Sequence, residues 1–127
     1  MRDEQVRRYA RHILLPDVGG LGQTALMVSA AKIELRESEP AAELIAATYL
    51  AAGGVGTIVL RGATEGQLAA LAPHGPDTKI VVQGDGREVQ LAPTPPWWPG
   101  GEGDAMALAY WRGGIAATRW MADIVNR

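Results

Sequence analysis

The stretch "AKIELRESEPAAELIAATYLAAGGVGTIVLRG" (Ala31–Gly62) decides the fold. From Lys32 to Arg36 polar and apolar residues alternate, with Ile33 and Leu35 apolar between Glu34 and Arg36. That is the period of a strand with one face exposed. A central parallel strand covered on both faces would read as nearly continuous Val, Ile and Leu. Either the sheet is covered on one face only, or a partner neutralises the two charges. Ser38 suits a helix N-cap, with Glu39 and Pro40 in the first turn. Leu44, Ile45 and Tyr49 make an apolar stripe at helical spacing, and Gly53-Gly54 stop the helix. "TIVL" (Thr57–Leu60) reads as a short buried strand. Strand, helix, strand is the opening unit of a nucleotide-binding α/β fold. Where such a unit normally carries a glycine-rich phosphate loop, this chain has Arg36-Glu37-Ser38-Glu39-Pro40.

Toward the N-terminus, Asp3 to His12 reads as an arginine-rich helix, with Arg7 and Arg11 four apart on one face. Pro16, Gly19, Gly20 and Gly22 then predict a helix end and a turn, and Gln23–Ala30 a second short helix. On the other side, Thr64–Ala72 reads as a short helix stopped by Pro73 and Gly75. Lys79–Val82 and Glu88–Leu91, around Gly84-Asp85-Gly86, read as a β-hairpin. Pro93–Gly103 is a proline-, glycine- and tryptophan-rich linker, and Asp104–Asn126 a long helix. The apolar face of that helix runs through Met106, Ala109, Tyr110, Ile115, Ala116, Trp120 and Ile124. Gly113-Gly114 in its middle marks a break or a surface that another backbone approaches closely, since each Gly costs about 1 kcal/mol against Ala. The expectation is one domain: a helical arm over 1–30, a sheet core over 31–92, the linker over 93–103 and the closing helix over 104–127. Its class is α/β, a small Rossmann-like, mainly parallel sheet with an added hairpin.

Composition excludes several functions. The chain has 127 residues, enough for one modest core, and its 47% hydrophobic and 20% charged content is that of an ordinary globular domain. A net charge of −2 gives no bulk basic excess for non-specific nucleic-acid binding. The absence of cysteine removes disulfides, Cys-type zinc sites and thioester intermediates together. No apolar run reaches a membrane span and the N-terminus has no signal-peptide core, so a cytoplasmic protein is expected.

Two blocks carry a resemblance. "RYARHILLPDVGGLGQ" (Arg8–Gln23) is similar to the R-Y-x-R-Q-I-x-L-P…G…G-Q segment of the ThiF/MoeB/HesA family, the ubiquitin-activating-type adenylating enzymes. "YLAAGGVGTIVL" (Tyr49–Leu60) resembles the family's Y-L-A-x-A-G-V-G-x-I-x-L. Together they span roughly the first 60 residues, at a spacing that also fits; "GGIAATRWM" in the last helix is a looser likeness. The resemblance implies a dimeric α/β domain that binds ATP and adenylates the C-terminus of a small ubiquitin-like protein. It also implies an arginine of the N-terminal block reaching into the partner's ATP site, a role that falls here on Arg11.

The departures from that pattern are large. The family's G-x-G-G-x-G loop would fall at about Glu37–Glu43, where the chain reads "ESEPAAE". The acidic residue that holds the ribose would fall near Arg61-Gly62, and the phosphate-contacting S-N-L-x-R-Q motif has no counterpart in "ATEGQLAALAPHG". Loop glycines let a backbone approach pyrophosphate and aim its N–H groups at it. Glu37, Glu39 and Glu43 instead suit the helix dipole by about 0.3–1 kcal/mol each and repel a triphosphate. The expected protein is therefore a non-catalytic relative that has lost ATP binding and works by dimerisation or protein contact, as a homodimer or as the inactive partner of an active enzyme. The alternative is a small-ligand binder, or an enzyme of another kind, using the remodelled cleft.

The remaining candidates are weighed against structural roles. Arg8 and Arg11 are trans-acting or interface arginines, or else a solvated helix face paired to Asp3 and Glu4. Trp97 and Trp98, between prolines, present an interaction surface or fold back to plug the vacated cleft. Gly113, Gly114 and Trp120 are candidate dimer contacts. His12 and His74 form no triad or metal cluster. No catalytic residue, metal, cofactor, nucleic-acid or membrane partner is expected.

Overall fold

The computed structural model describes residues 19–35, 40–99 and 104–126. Within them, α1 (Gly19–Met27) leads into β1 (Ala30–Glu34), followed by α2 (Ala41–Ala52) and β2 (Thr57–Arg61). Next come α3 (Glu65–Leu71), a 3-10 turn (Ala72–His74), β3 (Lys79–Val81), β4 (Arg87–Glu88) and α4 (Ala105–Val125). The four strands form one sheet in the order β3-β2-β1-β4, every pair parallel. The α/β, Rossmann-like expectation holds: these are the first four positions of the doubly wound order.

Strand phase explains the layers. Ala31 and Ile33 of β1 lie beside Ile58 and Leu60 of β2, and all four belong to the buried core. Leu26 of α1, Leu50 of α2, Leu71 of α3 and Trp120 of α4 belong to the same cluster. Each of the four described α-helices thus contributes to the core on one face of the sheet. The alternate residues Lys32, Glu34, Val59, Val81 and Glu88 define the second face. On that second face Val59 is buried while Lys32 and Glu34 are half-buried, and Arg36 lies outside the described residues.

The expected hairpin does not form. β3 and β4 sit on opposite edges of the sheet, with β2 and β1 between them. The link, residues 82–86, must therefore cross three strand spacings, about 14 Å, where a parallel crossover usually takes a dozen residues and a helix. Six extended steps reach only about 20 Å, so the link runs flat across the second face. Gly84, at φ 143°, has its Cβ position 3.4 Å from Val59 Cγ2. A Cβ on Gly86 would sit 3.0 Å from the Ala30 carbonyl oxygen and 3.0 Å from the Ala31 carbonyl carbon. The glycines read as turn residues are the ones that let backbone lie on backbone.

The helices differ from expectation in detail. Gly19–Gly22 begin α1 instead of forming a turn; Gln23 of that helix donates from Nε2 to the Gly53 carbonyl, 2.9 Å away. Ser38 is outside the described residues, and α2 starts after Pro40 with no side-chain cap. Its buried face is Ala42, Glu43, Ala46, Ala47, Leu50 and Ala51, while Tyr49 of the expected stripe is exposed. That alanine face meets Ala109, Gly113, Ala116 and Ala117 of α4. Small residues on both sides let the helices approach closely, and α4 runs unbroken through Gly113-Gly114. Trp120 Nε1 donates to the Arg87 carbonyl (3.1 Å), and Arg87 forms an ion pair with Asp123, so α4 fastens β4 to the sheet. Arg112 Nε donates to the Ala92 carbonyl (2.8 Å) and holds the segment after β4 in the same way.

Candidate functional site

In an open parallel sheet the chain leaves neighbouring strands in opposite directions at one point, and a crevice opens beyond the carboxyl ends there. In the order β3-β2-β1-β4 that point lies between β1 and β4. A cavity of about 280 Å³ occupies it. Lys32, Ile33 and Glu34 of β1 form one wall, Glu88 of β4 with Val89 to Leu91 another, and Glu43 of α2 closes the end. Lys32 is the register partner of Glu88, and the Lys32 carbonyl accepts from Val89 N–H at 3.0 Å. The described lining residues include three carboxylates and one ammonium, and Glu34 and Glu43 each already have an interaction partner.

Glu43 occupies the first turn of α2 and is buried, so its charge stands at the positive end of the helix dipole. It also borders a second cavity, about 230 Å³, between the starts of α2 and α4, with Ala42, Met106, Ala109 and Arg112. Among the described residues no group of three His, Cys, Asp or Glu could hold a metal ion. A phosphate brought against these carboxylates meets like charge.

The sequence-derived candidates distribute unevenly around this crevice. Arg7, Arg8, Arg11 and His12 lie outside the described residues, as do Glu37, Ser38 and Glu39 of the altered loop. Arg61 ends β2 and Gly62 follows it at φ 87°, both exposed. Trp97 and Trp98 line neither of these two cavities. Trp97 is 68% exposed, packed at 5.9 Å on Trp98 and edge-on at 6.2 Å against Trp111 of α4. Gly113 faces the Ala42–Ala46 backbone of its own chain, Gly114 lies by Tyr49, and Trp120 is buried in the core. His74 is exposed in the 3-10 turn.

Lys32, Glu34 and Glu88 had not stood out as site residues. Lys32 and Glu34 were legible as the polar half of an alternating strand. Placing Glu88 beside them requires the crossover, which the hairpin reading hid.

The fold and crevice define a small α/β Rossmann-like domain with an acidic switch point. Compared with protein-family models and with curated proteins, the chain matches none. Among the described residues no helix is long and apolar enough to cross a membrane.

Proposed function

We propose that the protein is a non-catalytic relative of the ThiF/MoeB/HesA adenylating enzymes that has lost ATP binding and acts through dimerisation or protein contact. One observation carries the reading: the crevice at the β1–β4 switch point is walled by Glu34, Glu43 and Glu88. The sequence likeness at Arg8–Gln23 and Tyr49–Leu60, without a single glycine from Leu35 to Ala52, supports it. Backbone N–H groups cradle a phosphate where glycines let it approach the helix start, and the sequence before α2 offers none. Arg8 and Arg11 remain the residues offered at an interface, in a homodimer or to an active relative in a cytoplasmic setting.

Thermal denaturation with and without excess Mg·ATP tests the first half. No shift is expected. A hundredfold excess over Kd would add about 2.7 kcal/mol, so a clear upward shift overturns the reading. Light scattering tests the second half. For the heterodimer version, adding the protein to an active family enzyme should change the rate of carrier adenylation; unchanged rates and no complex remove it.

A second reading is favoured by the cavity itself. Its apolar residues Ile33, Val89 and Leu91 beside carboxylates form a pocket for a small cationic ligand. In the same assay, stabilisation by an organic amine without an effect of ATP would select it.

A further inference from the structure

We propose that the outward flank of α4, with Tyr49 of α2 beside it, is the surface on which two copies of the chain pair. The inference rests on the dimerisation half of the proposed function and names its contact; it calls on neither the acidic crevice nor the N-terminal arginines.

Helix phase defines the flank. At 3.6 residues per turn, Met106, Ala107, Tyr110, Trp111, Gly114 and Thr118 fall within about 140° of one another around α4. All of them are exposed or half-buried, and none is charged. The charged residues of α4, Arg112, Arg119 and Asp123, lie on the opposite side, where Arg112 holds Ala92 and Asp123 holds Arg87. The flank continues onto α2, because Tyr49 Cε2 stands 3.6 Å from the Cβ position of Gly114. Ile45, Thr48 and Ala52, the other exposed or half-buried residues on that side of α2, are also uncharged.

Single exposed apolar residues are ordinary, whereas a contiguous group marks a contact. Tyr49 is 47% exposed, Tyr110 54% and Met106 58%. At roughly 150–250 Å² per aromatic side chain, they leave on the order of 300 Å² of apolar surface in one place. Trp97, edge-on against Trp111, stands at the rim. With it and the small residues between, the flank approaches the roughly 800 Å² that each partner gives to a standard interface. It falls short of obligate homodimer size, so the dimer should form and dissociate with concentration.

Charge and shape favour a second copy over a foreign partner. In an isologous pair the same patch meets itself, so a charge near the axis would face its like; this flank has none. A two-fold axis at the level of Arg112 sets α4 antiparallel to its copy, with Tyr110 against the partner's Gly114 and Met106 against the partner's Thr118. Each large side chain then meets a small one, and both directions of the pair gain the same contact.

Sedimentation velocity of the full chain, from micromolar to submillimolar concentration, should show monomer converting to dimer. Tyr110→Glu puts two carboxylates beside the axis and should abolish the dimer while the monomer keeps its far-UV circular dichroism. Arg119→Glu, exposed on the opposite side of α4, should leave association as it is. Mixing Tyr110→Glu with Tyr110→Lys should restore a dimer that neither forms alone, because the two charges then attract across the axis. A dimer that survives Tyr110→Glu, or a mixture that does not recover, overturns this interface and leaves the dimerisation reading standing. A wild-type chain that stays monomeric throughout overturns the interface and the homodimer reading together.

Discussion

Gly113 and Gly114 are neighbours in one helix, and the packing of α4 on α2 assigns opposite signs to the same substitution. In an exposed helix Gly→Ala gains up to about 1 kcal/mol from propensity alone. At Gly114 nothing opposes that gain, because a Cβ would meet only Tyr49 Cε2 at 3.6 Å, an ordinary contact. At Gly113 the new methyl would collide with the Ala42 carbonyl oxygen and lie 3.0 Å from Ala46 N and 3.1 Å from Ile45 Cβ. Two of those atoms are α2 backbone, so no rotamer change relieves the clash. The helices must separate by about 1 Å, and overpacking of this kind costs about 1–3 kcal/mol. The propensity gain offsets part of it. Gly113→Ala should therefore lose about 1–2 kcal/mol and Gly114→Ala gain about 0.5–1 kcal/mol. In a domain of this length each kcal/mol moves the midpoint by roughly 3–5 °C. Urea melts followed by far-UV circular dichroism measure both, with unchanged m-values as the check on two-state behaviour. If both variants move in the same direction, the close approach of α4 to α2 is wrong. If the loss in Gly113→Ala grows as protein is diluted, the contact lies between chains.

Gly86→Ala should push β4 from β1 and cost about 1–3 kcal/mol, because the methyl would press on the Ala30–Ala31 backbone; Trp fluorescence should shift with it, since Trp120 bonds the next carbonyl. Thr64→Ala removes a capping box in which Thr64 Oγ1 accepts from Gln67 N–H (3.1 Å) and Gln67 Oε1 from Thr64 N–H (2.9 Å). It should lose about 0.5–2 kcal/mol in the same urea melts. Asp123→Asn breaks the ion pair with Arg87, whose side chains are 39% and 51% exposed, and should change stability by less than about 1 kcal/mol. Trp97→Ala should cost no more than about 0.5–1.5 kcal/mol, the worth of its ring contacts, and a larger loss by calorimetry would mean that its exposed ring is covered in solution.

Period-2 and period-3.6 patterns located the β1–α2–β2 unit, and they erred where alanine carries the packing. Ala31 faces the core as fully as Ile33, so β1 lies two residues earlier than Lys32–Arg36, still in the same phase. A two-residue shift keeps every side chain on its face. Of the α2 stripe read from Leu44, Ile45 and Tyr49, Leu44 packs against the core and Ile45 borders Gly113, while Tyr49 is exposed and the fully buried positions are mostly alanine. α4 presents Gly113, Ala116 and Ala117, and only an alanine face fits that shallow surface. The hairpin failed for a related reason. Gly84-Asp85-Gly86 satisfies a turn, and it equally satisfies a flat crossover; local chemistry does not separate the two. What separates them is non-local: Arg87 is held by Asp123 and Trp120 on α4. The tryptophans at 97 and 98 were legible as an aromatic cluster, but their partner, Trp111, lies on a helix whose direction the linker did not fix.

The short link also bears on the acidic crevice. A helix between β3 and β4 would place its own residues over the second face and set β4 at a distance chosen by that helix. A five-residue link instead draws β4 directly against β1, and the register puts Glu88 beside Lys32. The crevice is thus built from strand side chains, with Glu43 supplied by the first turn of α2. Each carboxylate about 4 Å from a phosphate oxygen opposes it by about 1 kcal/mol in water and by more where water is excluded. Each attracts a guanidinium by the same measure and adds directed hydrogen bonds. The corner where a nucleotide fold gathers N–H groups around an anion here gathers carboxylates. Its geometry therefore opposes an anion at the position where the fold would otherwise hold one.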